Sequence, residues 1–403
     1  MVDPSRIRIT GPLMSHVELV WSGLLAQGYT PLSSRNLLHL MAHLSRWLEV
    51  RALQAHDLTN GRIEEFLDER RQAGFTVYVS GRGLQPILEH LETAGVIAPA
   101  EQAGHPATEQ GRLLRDYGQY LLQERALVPT TVRHYQSVAR SFLSDSSEQG
   151  MLQLSRLSAG DVASFVVNQS RTSSVAWAKY TVTVLRSLLR FLFFRGDLAT
   201  DLVGAVPAVA GWHQASLPKA LPSQQVQQLL ESCNCRTDGG RRDFAVLLLL
   251  VRLGLRAGEV ATLELDDFDW TQGEVVVRGK RRREDRLPLP CDVGEAIVAY
   301  LRGGRPQTTC RRLFLSIRAP LRGLSGSAVR QIVRQACRRA GLPPTGAHRL
   351  RHTAATEMLR KGTSLSEIAQ VLRHHSLDTT AIYAKVDRCA LRKLAQPWPG
   401  VEA

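Results

Sequence analysis

The sequence is short of cysteine, of aromatic side chains and of long apolar runs. Six cysteines are scattered over 403 residues, and only Cys233 and Cys235 lie close together. A Cys-x-Cys pair by itself makes neither a zinc site nor a disulfide framework, so reduced and mostly buried thiols are expected. The longest apolar run, Phe244 to Val251, is far too short to cross a bilayer. Met1 to Ser5 lacks the charged-then-apolar pattern of an export signal. These absences predict a cytoplasmic protein without a membrane partner. The length suffices for two or three domains, each with its own core.

Positive charge, by contrast, is plentiful and concentrated. Lys plus Arg number 51 against 37 Asp plus Glu, a net charge of +14. Between Val275 and Arg360 there are 19 cationic and 5 acidic residues, so this segment alone carries the whole excess. Most of these cations are arginine, whose planar fork matches phosphate oxygens in pairs. A polyanion is the natural partner.

Residues 1–105 read as short amphipathic helices. Leu37, Leu38, Met41, Leu44, Trp47 and Leu48 keep helical spacing after Pro31, and Leu84, Ile87, Leu88 and Leu91 form another stripe that ends at Gly95. Residues 108–205 repeat the plan. Pro31 and Arg35 match Pro129 and Arg133 at an offset of 98, and Leu58 to Phe66 matches Leu157 to Phe165 at 99. Leu84, Leu88, Leu91 and Gly95 match Leu185, Leu189, Leu192 and Gly196 at 101. Two copies of one all-helical module are therefore expected. Residues 206–218, punctuated by Pro207, Gly211 and Pro218, read as an extended linker, and Ser223 as a helix cap.

From 219 to 403 the composition changes. A helix from Arg242 is apolar nearly all round and should be the buried centre of a domain. Glu274 to Arg278 and Arg286 to Leu289 are strand candidates around a basic turn. Helices are expected over Val293–Leu301, Ser327–Ala340, Leu350–Lys361, Leu365–Leu372 and from Thr379 onward.

Chemistry-bearing residues gather between Ala347 and Tyr383, in His348-Arg349-Leu350-Arg351-His352 and Arg373-His374-His375-Ser376 through Tyr383. Cations to hold phosphate oxygens, imidazoles to move protons and one phenol able to attack suit phosphoryl chemistry. His348 and His352 have the spacing of a zinc-protease pair, but Arg349 stands where that motif needs Glu.

These boxes, with Gly254-Leu255-Arg256-Ala257-Gly258-Glu259-Val260 and Arg278-Gly279-Lys280 ahead of them, resemble the catalytic domain of the tyrosine recombinase (phage integrase) family. All stand in family order, and His374 precedes Tyr383 by the family's nine residues. The resemblance implies a mainly α protein: two helical N-terminal modules, the second a core-type DNA-binding domain, and a mixed, mostly helical catalytic domain with a small antiparallel sheet. It implies that Tyr383 is the nucleophile and that Arg256 and Arg351 stabilise the phosphorane. Lys280 would protonate the leaving 5′ oxygen, His348 assist proton removal from the phenol, and His374 bond the scissile phosphate. Glu259 reads as a structural brace. Arg133, Arg278, Arg281, Arg282 and Arg283 are candidate DNA contacts. Two departures stand out: Arg373 replaces the usual Gly before the last histidine, and His375 offers a second imidazole beside His374.

The expected activity is metal- and ATP-independent cutting and rejoining of double-stranded DNA through a 3′-phosphotyrosyl link. No cofactor is expected. A homotetramer on DNA is implied, alone or with partner recombinases, on a mobile element or in the nucleoid. A type IB topoisomerase-like relaxing enzyme and a non-catalytic DNA-binding protein are the alternatives.

Overall fold

The computed structural model describes residues 7–98, 108–145, 147–148, 151–152, 154–210, 220–279, 284–374 and 378–386. The chain forms two compact units, one of Met1–Ala98 with Ser216–Ala403 and one of Pro99–Ala215.

The N-terminal module holds α1 (Val17–Ala26), α2 (Pro31–Val50), α3 (Asn60–Gln72) and α4 (Gly81–Thr93). The second unit holds α5 (Glu109–Gln123), α6 (Pro129–Asp145), α7 (Ala159–Thr172) and α8 (Val175–Arg195). The paired signals act at matching places. Pro31 and Pro129 each open the second helix, where a missing N–H costs nothing. The Thr59 hydroxyl accepts from the Arg62 N–H, and that of Ser158 from the Asp161 N–H, each starting the third helix. Gly95 and Gly196 both take positive φ just past the fourth. Each set closes its own core. Leu38, Met41 and Leu44 meet Leu84, Ile87 and Val20 in the first, and Tyr117, Phe142 and Phe165 meet Leu185 and Leu188 in the second. A short hairpin, β1 (Ser147–Glu148) with β2 (Met151–Leu152), joins α6 to α7.

In the C-terminal part, α9 (Ser223–Glu231) leads to α10 (Asp238–Arg252), the central helix the sequence indicates. Every residue from Ala245 to Val251 is buried, and α10 packs on α9, on α11 (Ala257–Thr262), α12 (Cys291–Gly303), α13 (Gly326–Arg339) and α14 (Ala347–Arg360). Each fully buried leucine here is worth about 2 kcal/mol of transfer free energy. Ser223 does not cap α9: Pro222 holds the N-cap position and Ser223 is the first helical residue. β3 (Phe268–Asp269), β4 (Glu274–Arg278) and β5 (Glu284–Pro288) form an antiparallel sheet, with Val275 opposite Leu287 and Arg278 opposite Glu284. Then α15 (Leu365–Val371) and α16 (Asp378–Ala381) run into a 3-10 turn, Ile382–Val386.

The N-terminal module touches the C-terminal part directly. The Leu321 N–H donates to the Gln27 carbonyl at 2.8 Å, and Arg322 pairs with Glu89. Gly28, at φ +83°, lies beneath Leu321, whose Cδ1 would stand 2.3 Å from any added Cβ.

Candidate active site

Arg256 sits where α10 has ended and α11 begins. Gly254, at φ +58°, reverses the chain there, and a side chain on it would strike Leu372. The Arg256 N–H donates to Glu259 Oε2 at 2.7 Å, and its Nη1 to Oε1 at 2.6 Å. Its side chain remains 42% exposed. The brace expected of Glu259 is thus visible as two bonds to one arginine.

Arg351 lies on the inner face of α14 and is buried. Its Nη1 donates to the Gly254 carbonyl at 2.6 Å, and its Nη2 to the Leu372 carbonyl. The guanidinium therefore bolts the turn before Arg256 to the turn before His374. Burial, then repulsion from Arg256, brings its pKa down to about 10.

After α15 the chain makes a Schellman turn: the His374 N–H reaches the Ala369 carbonyl and the Arg373 N–H the Gln370 carbonyl, both at 2.9 Å. The left-handed position of that turn, φ +53°, belongs to Arg373. Left-handed backbone costs a non-glycine residue about 1–2 kcal/mol. The Arg373 side chain turns inward, and Nη2 donates to Glu259 Oε2 at 2.6 Å. A buried, charge-assisted bond of about 1.5–3 kcal/mol offsets the strain. Burial alone would raise the Glu259 carboxyl, but Arg373 and Arg256 together hold it below the usual range.

Tyr383 is 1% exposed and packs with Ala355, Ile368 and Leu372 in a small cluster of their own. Its hydroxyl is 2.9 Å from His352 Nδ1. Burial pushes the phenol up to about 12 against the pull of Arg351. The rings of His352 and His348 stand 4.4 Å apart, edge to face. Burial, then His348 and Arg351, brings His352 down to about 4. His374 Nδ1 is 2.6 Å from Thr380 Oγ1, and burial with the surrounding arginines brings this imidazole to about 4 as well. His348 is exposed at one edge, and desolvation of its inner side with Arg351 and Arg256 lowers it too. All three imidazoles are accordingly neutral at pH 7.

Arg256 and, 92 to 127 residues further on, His348, Arg351, His374 and Tyr383 thus meet in one place. Lys280, Arg281, Arg282, Arg283 and His375 lie outside the described residues. Arg278 is exposed but already paired with Asp267 and, at 3.1 Å, with Glu284. Arg133 is exposed on α6, in the other unit. Two further members are His352 on the phenol and Arg373 on Glu259. The i, i+4 spacing from His348 placed His352 on the same helix face, but nothing local linked it to Tyr383.

The Phage integrase family model matches residues 219–388, and the model of the Phage integrase N-terminal SAM-like domain matches 114–196. The protein y4rA of Sinorhizobium fredii is 41% identical over 393 residues, 97% of this chain and 95% of that protein. Tyrosine recombinase XerD of Mycobacterium tuberculosis is 31% identical over 306 residues, 71% of this chain and 96% of that protein. Among solved structures, a lambda integrase tetramer bound to a Holliday junction superposes with a TM-score of 0.54 at 17% identity, covering 81% of this chain and 92% of that one. The mostly helical architecture with its small antiparallel sheet is the one that fold carries. The chain belongs to the phage integrase family, the tyrosine-type site-specific recombinases.

Proposed function

We propose that this recombinase breaks and rejoins DNA through a covalent 3′-phosphotyrosyl link at Tyr383. The observation that carries the reading is the meeting of one phenol, neutral imidazoles and two partly or fully buried guanidiniums around a single point. In the step envisaged, the Tyr383 O–H bond breaks and an O–P bond forms while the 5′ oxygen leaves. The phenolic proton passes to His352 Nδ1, which stands 2.9 Å away, with His348 behind it. Lys280 supplies the proton to the departing oxygen. Arg256 and Arg351 stabilise the charge that grows on the non-bridging oxygens, with His374 as a further donor. Bond energy is kept in the phosphotyrosine, so no nucleotide is consumed. A cluster of guanidiniums repels a divalent cation and performs its electrostatic task, which supports metal independence.

Pairing two duplexes needs four tyrosines, and lambda integrase, which shares the fold, is described as a tetramer on a Holliday junction. We assign the same assembly on DNA here. The excess of arginine between Val275 and Arg360 suits double-stranded DNA and makes binding strongly salt-dependent.

The deciding experiment traps the adduct on nicked duplexes from the flanks of the protein's own gene, with EDTA present. A covalent protein–DNA band from the native chain, absent in Tyr383→Phe, is expected. A band that persists in the variant overturns the assignment of the nucleophile. Relaxation of one supercoiled plasmid without exchange between two sites would favour the topoisomerase-like reading.

A further inference from the structure

We propose that Arg373 is a positioning residue that keeps the Arg256 fork free for the phosphate by sharing Glu259. The inference rests on the strand-transfer reading given above.

Arg373 is not placed to touch DNA. Its side chain is 4% exposed and lies against a carboxylate that is itself only 6% exposed. It occupies a backbone position that favours glycine, at φ +53°, so the arginine is kept there against the local preference. The guanidinium donates from Nη1 to the nearby Val371 carbonyl at 2.9 Å, and from Nη2 to Glu259 Oε2 at 2.6 Å, across 114 residues of sequence. The same oxygen accepts the Arg256 N–H, and the other oxygen accepts Arg256 Nη1.

Charge decides what this sharing achieves. Arg256 and Glu259 alone make a neutral pair, and an incoming phosphate would meet a carboxylate as well as a cation. Arg373 cancels that carboxylate, so Arg256 presents a net positive charge. With Arg351 included, three guanidiniums face one carboxylate. The surplus of two positive charges suits a dianionic phosphorane. Geometry agrees: Arg256 Nη2 has only a long contact, 3.4 Å, to the Arg373 carbonyl, and its side chain opens to solvent. Without Arg373, the carboxylate loses its second cation, and Oε2 is free to draw the Arg256 fork fully onto Glu259.

The test compares adduct formation on the nicked duplex with equilibrium binding of that duplex, for the full chain and three variants. Arg373→Gly should bind DNA within about twofold of the native protein but form adduct about 100-fold more slowly, the loss typical of one removed electrostatic contact. The double variant Arg373→Gly/Glu259→Gln should recover at least about tenfold of that rate, because the uncancelled carboxylate is gone. Arg373→Lys should fall between native and Arg373→Gly, keeping the charge without the fork. A merely structural role would lower DNA binding and the thermal midpoint together and show no rescue by Glu259→Gln. Native adduct rates in Arg373→Gly, or a double variant as slow as the single, would overturn the proposal. A native protein that binds the duplex and forms no adduct overturns the strand-transfer reading, and this inference with it.

Discussion

The hydroxyl of Tyr383 lies 2.9 Å from Nδ1 of His352, while His348 meets the phenol only through the His352 ring. Among the described residues, the imidazole bonded to the Tyr383 hydroxyl is therefore four residues further along α14 than the one the family resemblance names.

Replacing His352 separates proton transfer from packing. His352→Ala should slow adduct formation about 100-fold, the low end of what a positioned acid or base contributes. His352→Gln, whose amide oxygen accepts the phenolic hydrogen but takes up no proton, should regain the thermal midpoint and leave the rate low. Rates from single-turnover trapping decide it: a His352→Ala protein as fast as the native chain, beside a slow His348→Ala, would return the role to His348.

The half-buried imidazoles make stability pH-dependent in a predictable direction. His352 and His374 fall from 6.5 to about 4 on folding, so between these values the unfolded chain binds more protons than the folded one. Stability is complete above about pH 6.5 and declines as pH falls toward 4. His348 shifts the same way. Urea midpoints measured from pH 7.5 to 4.5 should drop steadily below 6.5. They should drop less in His374→Asn. A midpoint that rises on acidification contradicts the neutral assignment.

Gly28 and Arg322 both join the N-terminal module to the catalytic part, yet they should respond very differently to mutation. Gly28→Ala places a Cβ in a left-handed residue and against Leu321, a loss of about 1–2 kcal/mol from backbone strain alone. Arg322→Ala removes an ion pair whose arginine is 54% exposed, worth at most about 1 kcal/mol. Chemical denaturation of the two variants should rank Gly28→Ala as clearly the weaker protein. Equal midpoints would contradict both the backbone strain and the clash with Leu321 at this position.

Arg351→Lys conserves charge and should still fail. One ammonium cannot span the Gly254 and Leu372 carbonyls that the guanidinium bridges. We expect a loss of about 2–4 kcal/mol and no detectable adduct. A stable, active Arg351→Lys protein would show that the bridge is dispensable.

Much of this was legible along the chain because it is local. The Pro31 and Pro129 helix starts and the strand Glu274–Arg278 are each signalled within a few residues, and each stands where expected. The boxes around Arg256, Arg351 and Tyr383 were legible as motifs, though their meeting was known only through resemblance. What stayed hidden depends on distant partners. Arg373 looked like a mere departure from a glycine pattern until Glu259 appeared beside it. The buried pair Arg242–Asp243, at 2.7 Å inside an apolar helix, has outside partners in the Leu315 carbonyl, 73 residues on, and in Arg339, 3.7 Å from Asp243. The docking of Leu321 on Gln27 has no periodicity to announce it. Ser223 misled because Pro222, lacking an N–H, already fills the position before the helix.

Tyr383 shares its small apolar cluster with three buried neighbours rather than with the main core around α10. Detaching four side chains is a matter of a few kcal/mol, whereas loosening the main core would cost many times that. Tyr383 is thus held by a small cluster set apart from the main core of the C-terminal part. Leu372 belongs to that cluster and its carbonyl is held by Arg351, so the arginine bolt ties the pocket of the phenol to the turn before Arg256.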